Sequence, residues 1–201
     1  MGRSQVDGSD VPQTGRMRVR LDLLLDCPAD AAWEAVHSPA VFRAVSGPFT
    51  TADSLEPGGF PDRWAGTEHR VRLRMLGLLP MGSQLIRLRD ETLPDGTRVV
   101  HDEGGPLTGA MRVVTTWHHR MVISAEPSGS NPGGAGTTDN GSAGTAPAIA
   151  LARTRFRDTL EVGAGVLTPV AWLGFWVFWQ LRARQLRRLA PGWAAQFGGV
   201  A

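Results

Sequence analysis

Lysine and tyrosine are absent from this chain of 201 residues, and cysteine occurs once. Without lysine there is no Schiff-base amine and no lysine-dependent phosphate loop. Without tyrosine no phenol can serve as a general acid. The lone thiol, Cys27, can build neither an intramolecular disulfide nor a thiolate metal site, which fits a reducing compartment. It precedes Pro28 at a strand-to-helix junction, a place for a small buried thiol rather than a catalytic thiolate. Charge of one sign is also lacking: the formal net charge is only +2, so the arginines alone are no argument for nucleic acid. Met1 to Gly15 is polar, contains Asp7 and Asp10, and lacks the apolar segment of a signal peptide, so 1–15 reads as a disordered lead-in. No serine-centred nucleophile elbow is present.

What the chain does have is alternation. Met17, Val19, Leu21 and Leu23 alternate with Arg18, Arg20 and Asp22, predicting a first strand with one buried face that ends at Asp26-Cys27-Pro28. Ala29 to Val36 has helical composition with Trp33 placed to bury, and Ser38-Pro39 stops it before a second short helix around Ala40 to Val45. Pro48 and Pro57-Gly58-Gly59 bound a weak strand. From Trp64 to Met75, His69, Val71, Leu73 and Met75 fall on one face and Arg70, Arg72 and Arg74 on the other. Strands are predicted across Ser83 to Thr92 and, after the Pro94-Asp95-Gly96 turn, across Thr97 to Glu103. Gly104-Gly105-Pro106 breaks the pattern before the longest β-like run, Val113 to Ala125. Pro127 to Pro147 is rich in Gly, Ser, Thr, Asn and Ala without periodicity and reads as a flexible loop inside the domain. Arg153 to Val162 alternates again.

After Gly163-Ala164-Gly165 a Trp-rich helix is predicted from about Pro169 to Ala190, with Thr168 as its N-cap and 191–201 as a tail. Trp172, Phe175, Trp176, Trp179, Ala183 and Leu186 recur at three and four residues, so they stack on one face and need a concave partner. Val162 to Trp179 is uncharged and is followed by Arg182, Arg184, Arg187 and Arg188, the pattern of a membrane segment with a positive flank. Gly163, Gly165, Pro169 and Gly174 interrupt it, whereas a spanning helix needs ~20 mainly apolar residues. Transient contact with a membrane surface through Trp and Arg is the weaker alternative. The element order describes a single α+β domain over 16–190.

That order resembles the helix-grip superfamily (START-like, or SRPBCC), which includes lipid-binding domains, pollen-allergen-like proteins and polyketide cyclase/dehydrase-type proteins. The resemblance rests on the first strand followed by Cys27-Pro28-Ala29-Asp30-Ala31-Ala32-Trp33-Glu34-Ala35-Val36, on the Gly104-Gly105-Pro106 break before Trp117-His118-His119, and on Arg157-Asp158 leading into the terminal helix. It implies a curved seven-stranded antiparallel sheet wrapped around the long C-terminal helix, with a pocket between them. None of these features is a catalytic motif, and the family spans carriers, sensors and cyclases.

If the strand phases hold, His69, His119 and Asp158 point to the helix side with Leu73, Trp117, Met121 and Phe156. A buried polar group needs a partner, so His119 and Asp158 are expected to hydrogen-bond each other or nearby backbone. The sharper alternative makes them an acid/base pair of a cyclase or dehydratase acting on a polyketide-like substrate. A third has them anchor a ligand's hydroxyl or carboxylate. Five histidines with Asp102 and Glu103 raise a metal site, but neighbours such as His118 and His119 face opposite ways on a strand, so neither metal nor cofactor is expected. The arginine stripes at Arg18/Arg20, Arg70/Arg72/Arg74, Arg87/Arg89 and Arg153/Arg155/Arg157 lack interleaved aromatics, and no nucleic-acid partner is expected. The leading expectation is a cytoplasmic protein binding a largely apolar small molecule, such as a lipid, isoprenoid or polyketide. His69, Leu73, Trp117, Met121, Phe156, Trp172, Phe175, Trp176 and Trp179 would line the cavity, with His119 and Asp158 orienting the ligand. An interaction protein with a closed cavity is the remaining class.

Overall fold

Residues 15–64, 68–126 and 152–198 of the computed structural model are described here. The expected lead-in, apart from Gly15, and the Gly-rich loop 127–147 lie outside them. Along β1 (Arg16–Leu25), Val19, Leu21, Leu23 and Leu25 are buried and alternate with exposed Arg18, Arg20, Asp22 and Leu24, as a strand with one wet face requires. Helix α1 (Ala29–Val36) buries Ala31, Ala32 and Ala35, and the Ser38 hydroxyl caps α2 (Pro39–Ser46) by accepting the Val41 N–H at 3.3 Å.

The described strands form two antiparallel sheets. In the first the order is β1, β9 (Arg153–Gly163), β8 (Thr116–Glu126), β6 (Arg98–Asp102) and β5 (Leu88–Thr92). In the second it is β2 (Thr50–Ser54), β3 (His69–Met75), β4 (Leu79–Ile86) and β7 (Gly105–Pro106). These nine strands in two sheets replace the single seven-stranded sheet that was expected.

The cause lies in the run read as one strand, Ser83 to Thr92. The chain leaves β4 at Ile86 and enters β5 at Leu88 in the other sheet. Asp102 pins that corner: its Oδ1 accepts the N–H of Arg87 at 3.2 Å and that of Gly104 at 3.1 Å. A side chain at Gly104 would place Cβ 2.0 Å from the Leu85 carbonyl oxygen, so only glycine fits there. The β3–β4 register slips between Leu73 and Arg74, which leaves Met81 as an extra residue turned towards the interior. The run expected from Val113 likewise starts later, at Thr116, because Gly109–Val113 forms a 3-10 turn against β4.

Helix α3 (Thr168–Phe197) closes the molecule and overruns its expected end at Ala190 by passing through Pro191. Residues 191–197 are helix, not tail. Thr168 is not the N-cap either: Leu167 occupies that position, and the Thr168 hydroxyl accepts the Ala164 N–H at 2.8 Å from the first turn. Against this helix and α1 the first sheet packs a core of Val19, Leu23, Ile123, Phe156, Leu160 and Val162. A smaller cluster of Ala52, Val71, Leu73, Ile86, Met111 and Trp64 lies under the second sheet.

The arginine stripes have carboxylate neighbours on the outer surface. Arg16 and Arg18 reach Glu161, Arg155 reaches Asp22 at 2.9 Å, and Arg74 and Arg87 meet Asp53 and Glu68. Exposed pairs of this kind contribute about 0–1 kcal/mol each. Their consequence here is a face whose positive charge is locally neutralised.

Candidate functional site

Between the two sheets, α2 and α3 lies a cavity of about 290 Å³. Its walls are mostly apolar, with aromatic rings and methionines prominent among them. Trp117, Phe175 and Trp179 form an edge-to-face chain with ring centroids 5.6 and 6.1 Å apart, and Phe178 meets Trp179 at 5.5 Å. Trp64, Met81 and Met111 face them from the other side.

One wall is ionic. His119 on β8 stands opposite Asp102 on β6 in the strand register, and Asp158 on β9 pairs with Met121, two residues further along β8. These diagonal positions lie within reach of long side chains. The His119 Nε2 is 2.8 Å from Asp158 Oδ1 and its Nδ1 is 3.8 Å from Asp102 Oδ2. Two further donors come from α3: Trp179 Nε1 donates to Asp158 Oδ1 at 3.0 Å, and Arg182 Nε to Oδ2 at 3.3 Å. Trp117 Nε1 donates to Asp102 Oδ2 at 3.4 Å. Asp158 is wholly buried yet accepts from three side chains on two elements.

Burial opposes charge on the His119 ring, but the Asp158 charge beside it, with Asp102 on its other flank, outweighs burial and pushes the pKa up to about 9. Burial likewise opposes charge on Asp158, and the His119 charge and hydrogen bond, with Arg182 and Trp179, hold its carboxyl below the usual range. His119 is therefore an imidazolium at neutral pH with both ring nitrogens turned towards carboxylates. It is poorly placed to act as a base.

Of the residues expected to line the pocket, Leu73, Trp117, His119, Met121, Phe175 and Trp179 do so. The other five do not touch it. Phe156 is buried in the core that the first sheet packs against α1 and α3, and Asp158 reaches the site only through His119, Trp179 and Arg182. The His69 ring lies outside the cavity, tilted against the Trp64 ring with centroids 5.0 Å apart. Trp172 lies over β1, its indole N–H donating to the Arg18 carbonyl at 2.9 Å. Trp176 is 42% exposed on the outer face of α3. Sequence reasoning missed Asp102, Arg182, Gln84 and Trp64. Arg182 follows Trp179 by three residues and shares its helix face, which was the available signal.

Two features lie apart from this chemistry. Among the described residues no group of three or more His, Cys, Asp or Glu is placed to hold a metal ion. Cys27 is buried, and burial pushes its thiol up to about 11, so it is a packed thiol without thiolate reactivity at neutral pH.

No family model matches the chain, and no curated protein matches it either. A crystal structure of a Chromobacterium violaceum protein resembles it with a TM-score of 0.52 at 14% identity, covering 87% of this chain and 96% of that one. Looser likenesses are a solution structure from Staphylococcus epidermidis (TM-score 0.47, 10% identity, 86% and 88% covered) and a crystal structure from Thermus thermophilus (TM-score 0.44, 9% identity, 86% and 95% covered). At 14% identity the first of these speaks for a shared α+β fold and nothing finer.

Proposed function

We propose that the protein binds a largely apolar small molecule, such as a lipid, isoprenoid or polyketide, in the cavity between the sheets and α3. The observation that carries this reading is an aromatic-walled space of about 290 Å³, left open by the protein's own side chains, with polar groups on one wall. The resemblance to helix-grip proteins, whose pocket lies against the terminal helix, points the same way. A closed interaction module would be expected to fill this space. Against the cyclase or dehydratase reading stands His119, charged and committed to Asp158 and Asp102, which favours anchoring over proton abstraction. A cytoplasmic setting forms part of the proposal and rests on the single, buried Cys27.

The test is native mass spectrometry of the purified protein, followed by organic extraction and titration of the tryptophan fluorescence with a lipid panel. A stoichiometric apolar passenger, or quenching of Trp117 and Trp179 that saturates, is the expected result. An empty protein with no fluorescence response to any member of the panel would rule the reading out.

Transient contact with a membrane surface is proposed on a separate observation. Val113 is half-exposed while lining the cavity, and exposed Leu78 and Leu79 at the β3–β4 turn and Val170 and Leu173 on α3 lie within three residues of the lining Met75, Met81, Ala171 and Gly174. Residues 76–86 and 162–181 carry no charged side chain. An uncharged apolar rim of this kind suits a bilayer better than water. Among the described residues no helix is long and apolar enough to cross a membrane. Co-sedimentation with phosphatidylglycerol vesicles is expected, and Leu78→Asp combined with Val170→Asp should abolish it. Equal sedimentation of this double variant and the parent protein would count against the contact.

A further inference from the structure

The cavity contains polar side chains that the fold does not use. Gln84, on β4, is 7% exposed and lines the cavity, and its side-chain amide has no hydrogen-bond partner among the described residues. Ser46, at the end of α2, borders the same space, but its hydroxyl oxygen is fully enclosed and beyond an occupant's reach. Polar groups in a largely buried wall are usually satisfied, so an unpartnered amide lining a cavity calls for an occupant that satisfies it. Arg182 adds a second: its Nε is spent on Asp158, while its Nη2 meets the Met121 sulfur at 3.9 Å, a weak partner.

The charge balance of the wall decides what kind of polar group fits. Asp102 and Asp158 face one imidazolium and one guanidinium, and every member has an opposite charge within 4.0 Å. A ligand carboxylate would leave one negative charge in excess in a largely apolar cavity, and an ammonium would leave one positive. A hydroxyl or carbonyl disturbs nothing. It can accept from Arg182 or from the Gln84 amide, and a hydroxyl can also donate to the Gln84 carbonyl. At about 290 Å³ the cavity lies at the small end of ligand pockets, ~300–1,000 Å³, which suits a compact ring system.

We propose that the ligand is a compact apolar molecule with an uncharged polar end, a hydroxyl or carbonyl, recognised by Gln84 and the Arg182 guanidinium. This rests on the cavity being the binding site. Gln84 is then the specificity-determining residue: it selects neutral polar ligands over apolar and ionised ones of the same shape.

Calorimetric titration of the full chain with naphthalene, 1-naphthol and 1-naphthoate separates the possibilities. 1-Naphthol is expected to bind about tenfold more tightly than naphthalene, the worth of one or two well-placed buried hydrogen bonds, and more tightly still than 1-naphthoate. Gln84→Leu should remove most of that advantage while naphthalene binds as before, which also shows that the variant is folded. Gln84→Met, which keeps the shape and removes the amide, should cost naphthol the same advantage and serves if Gln84→Leu does not fold. A preference for 1-naphthoate, or a naphthol preference untouched by both variants, overturns the proposal and leaves the cavity as a binding site. If none of the three probes binds, the cavity is not a binding site for such molecules, and both readings fall together.

Discussion

Between pH 6.5 and pH 9.5 the protein is expected to lose roughly 3 kcal/mol of folding stability, because the His119 pKa moves from the ordinary 6.5 to about 9 on folding. A group whose folded pKa is raised stabilises the native state fully below its unfolded pKa. That contribution is lost as pH rises through the folded value. The composition makes this window easy to read: no lysine or tyrosine is available to titrate at its upper end, and burial moves Cys27 up to about 11. Urea unfolding at stepped pH measures it, and a flat profile from 6.5 to 9.5 would show that His119 is not the charged centre of the site. Asp158→Asn is the matching variant. It removes the shared partner of His119 and Arg182 and leaves two buried cations short of compensation, so it should cost about 3–5 kcal/mol at pH 7. In that variant only the Asp102 charge opposes burial at the imidazole, and the alkaline loss should shrink.

The same quartet shows why the site was only half legible in the sequence. The His119–Asp158 pair could be anticipated because two polar residues fell on the apolar phase of two strands, a local pattern with period two. Asp102 could not. It sits at the end of β6, and its role depends on the chain switching sheets at Arg87, a long-range event that strand alternation does not encode. The sheet count failed for the same reason. The run from Ser83 to Thr92 contains no glycine or proline to mark a break, and what divides it is the close backbone approach at Gly104 and the carboxylate that caps the corner. Elements whose ends are set by local chemistry were read well. Helix α1 matches its expected bounds, β1 extends one residue before and two beyond its alternating run, and β9 starts at Arg153 as expected and ends one residue later, at Gly163.

Helix α3 separates the two kinds of signal within one element. Its buried stripe runs Trp179, Ala183, Leu186, Ala190 and Trp193, with Phe197 packed against the same core, at alternating spacings of four and three. Trp172 and Phe175 continue that stripe towards the N-terminus, but Trp176 falls off it, which is why counting every Trp as inward misplaced one. The stripe also continues past Pro191. A proline inside a helix costs about 3 kcal/mol through its missing N–H and its clash with the preceding turn. Burying Trp193 at 3% exposure offsets that cost and carries the helix to Phe197. Trp193→Ala is accordingly expected to destabilise by about 3–5 kcal/mol, on the order of 10 °C in Tm, and truncation after Ala190 by at least as much. Trp176→Ala should cost about 1 kcal/mol or less, since 42% of its surface is exposed and it joins neither core cluster. Scanning calorimetry of the two single variants measures the contrast directly. Equal effects at Trp176 and Trp193 would mean that the packed face of α3 has been misassigned, and with it the helix wall of the cavity, because Phe175, Trp179 and Arg182 are placed by that same face.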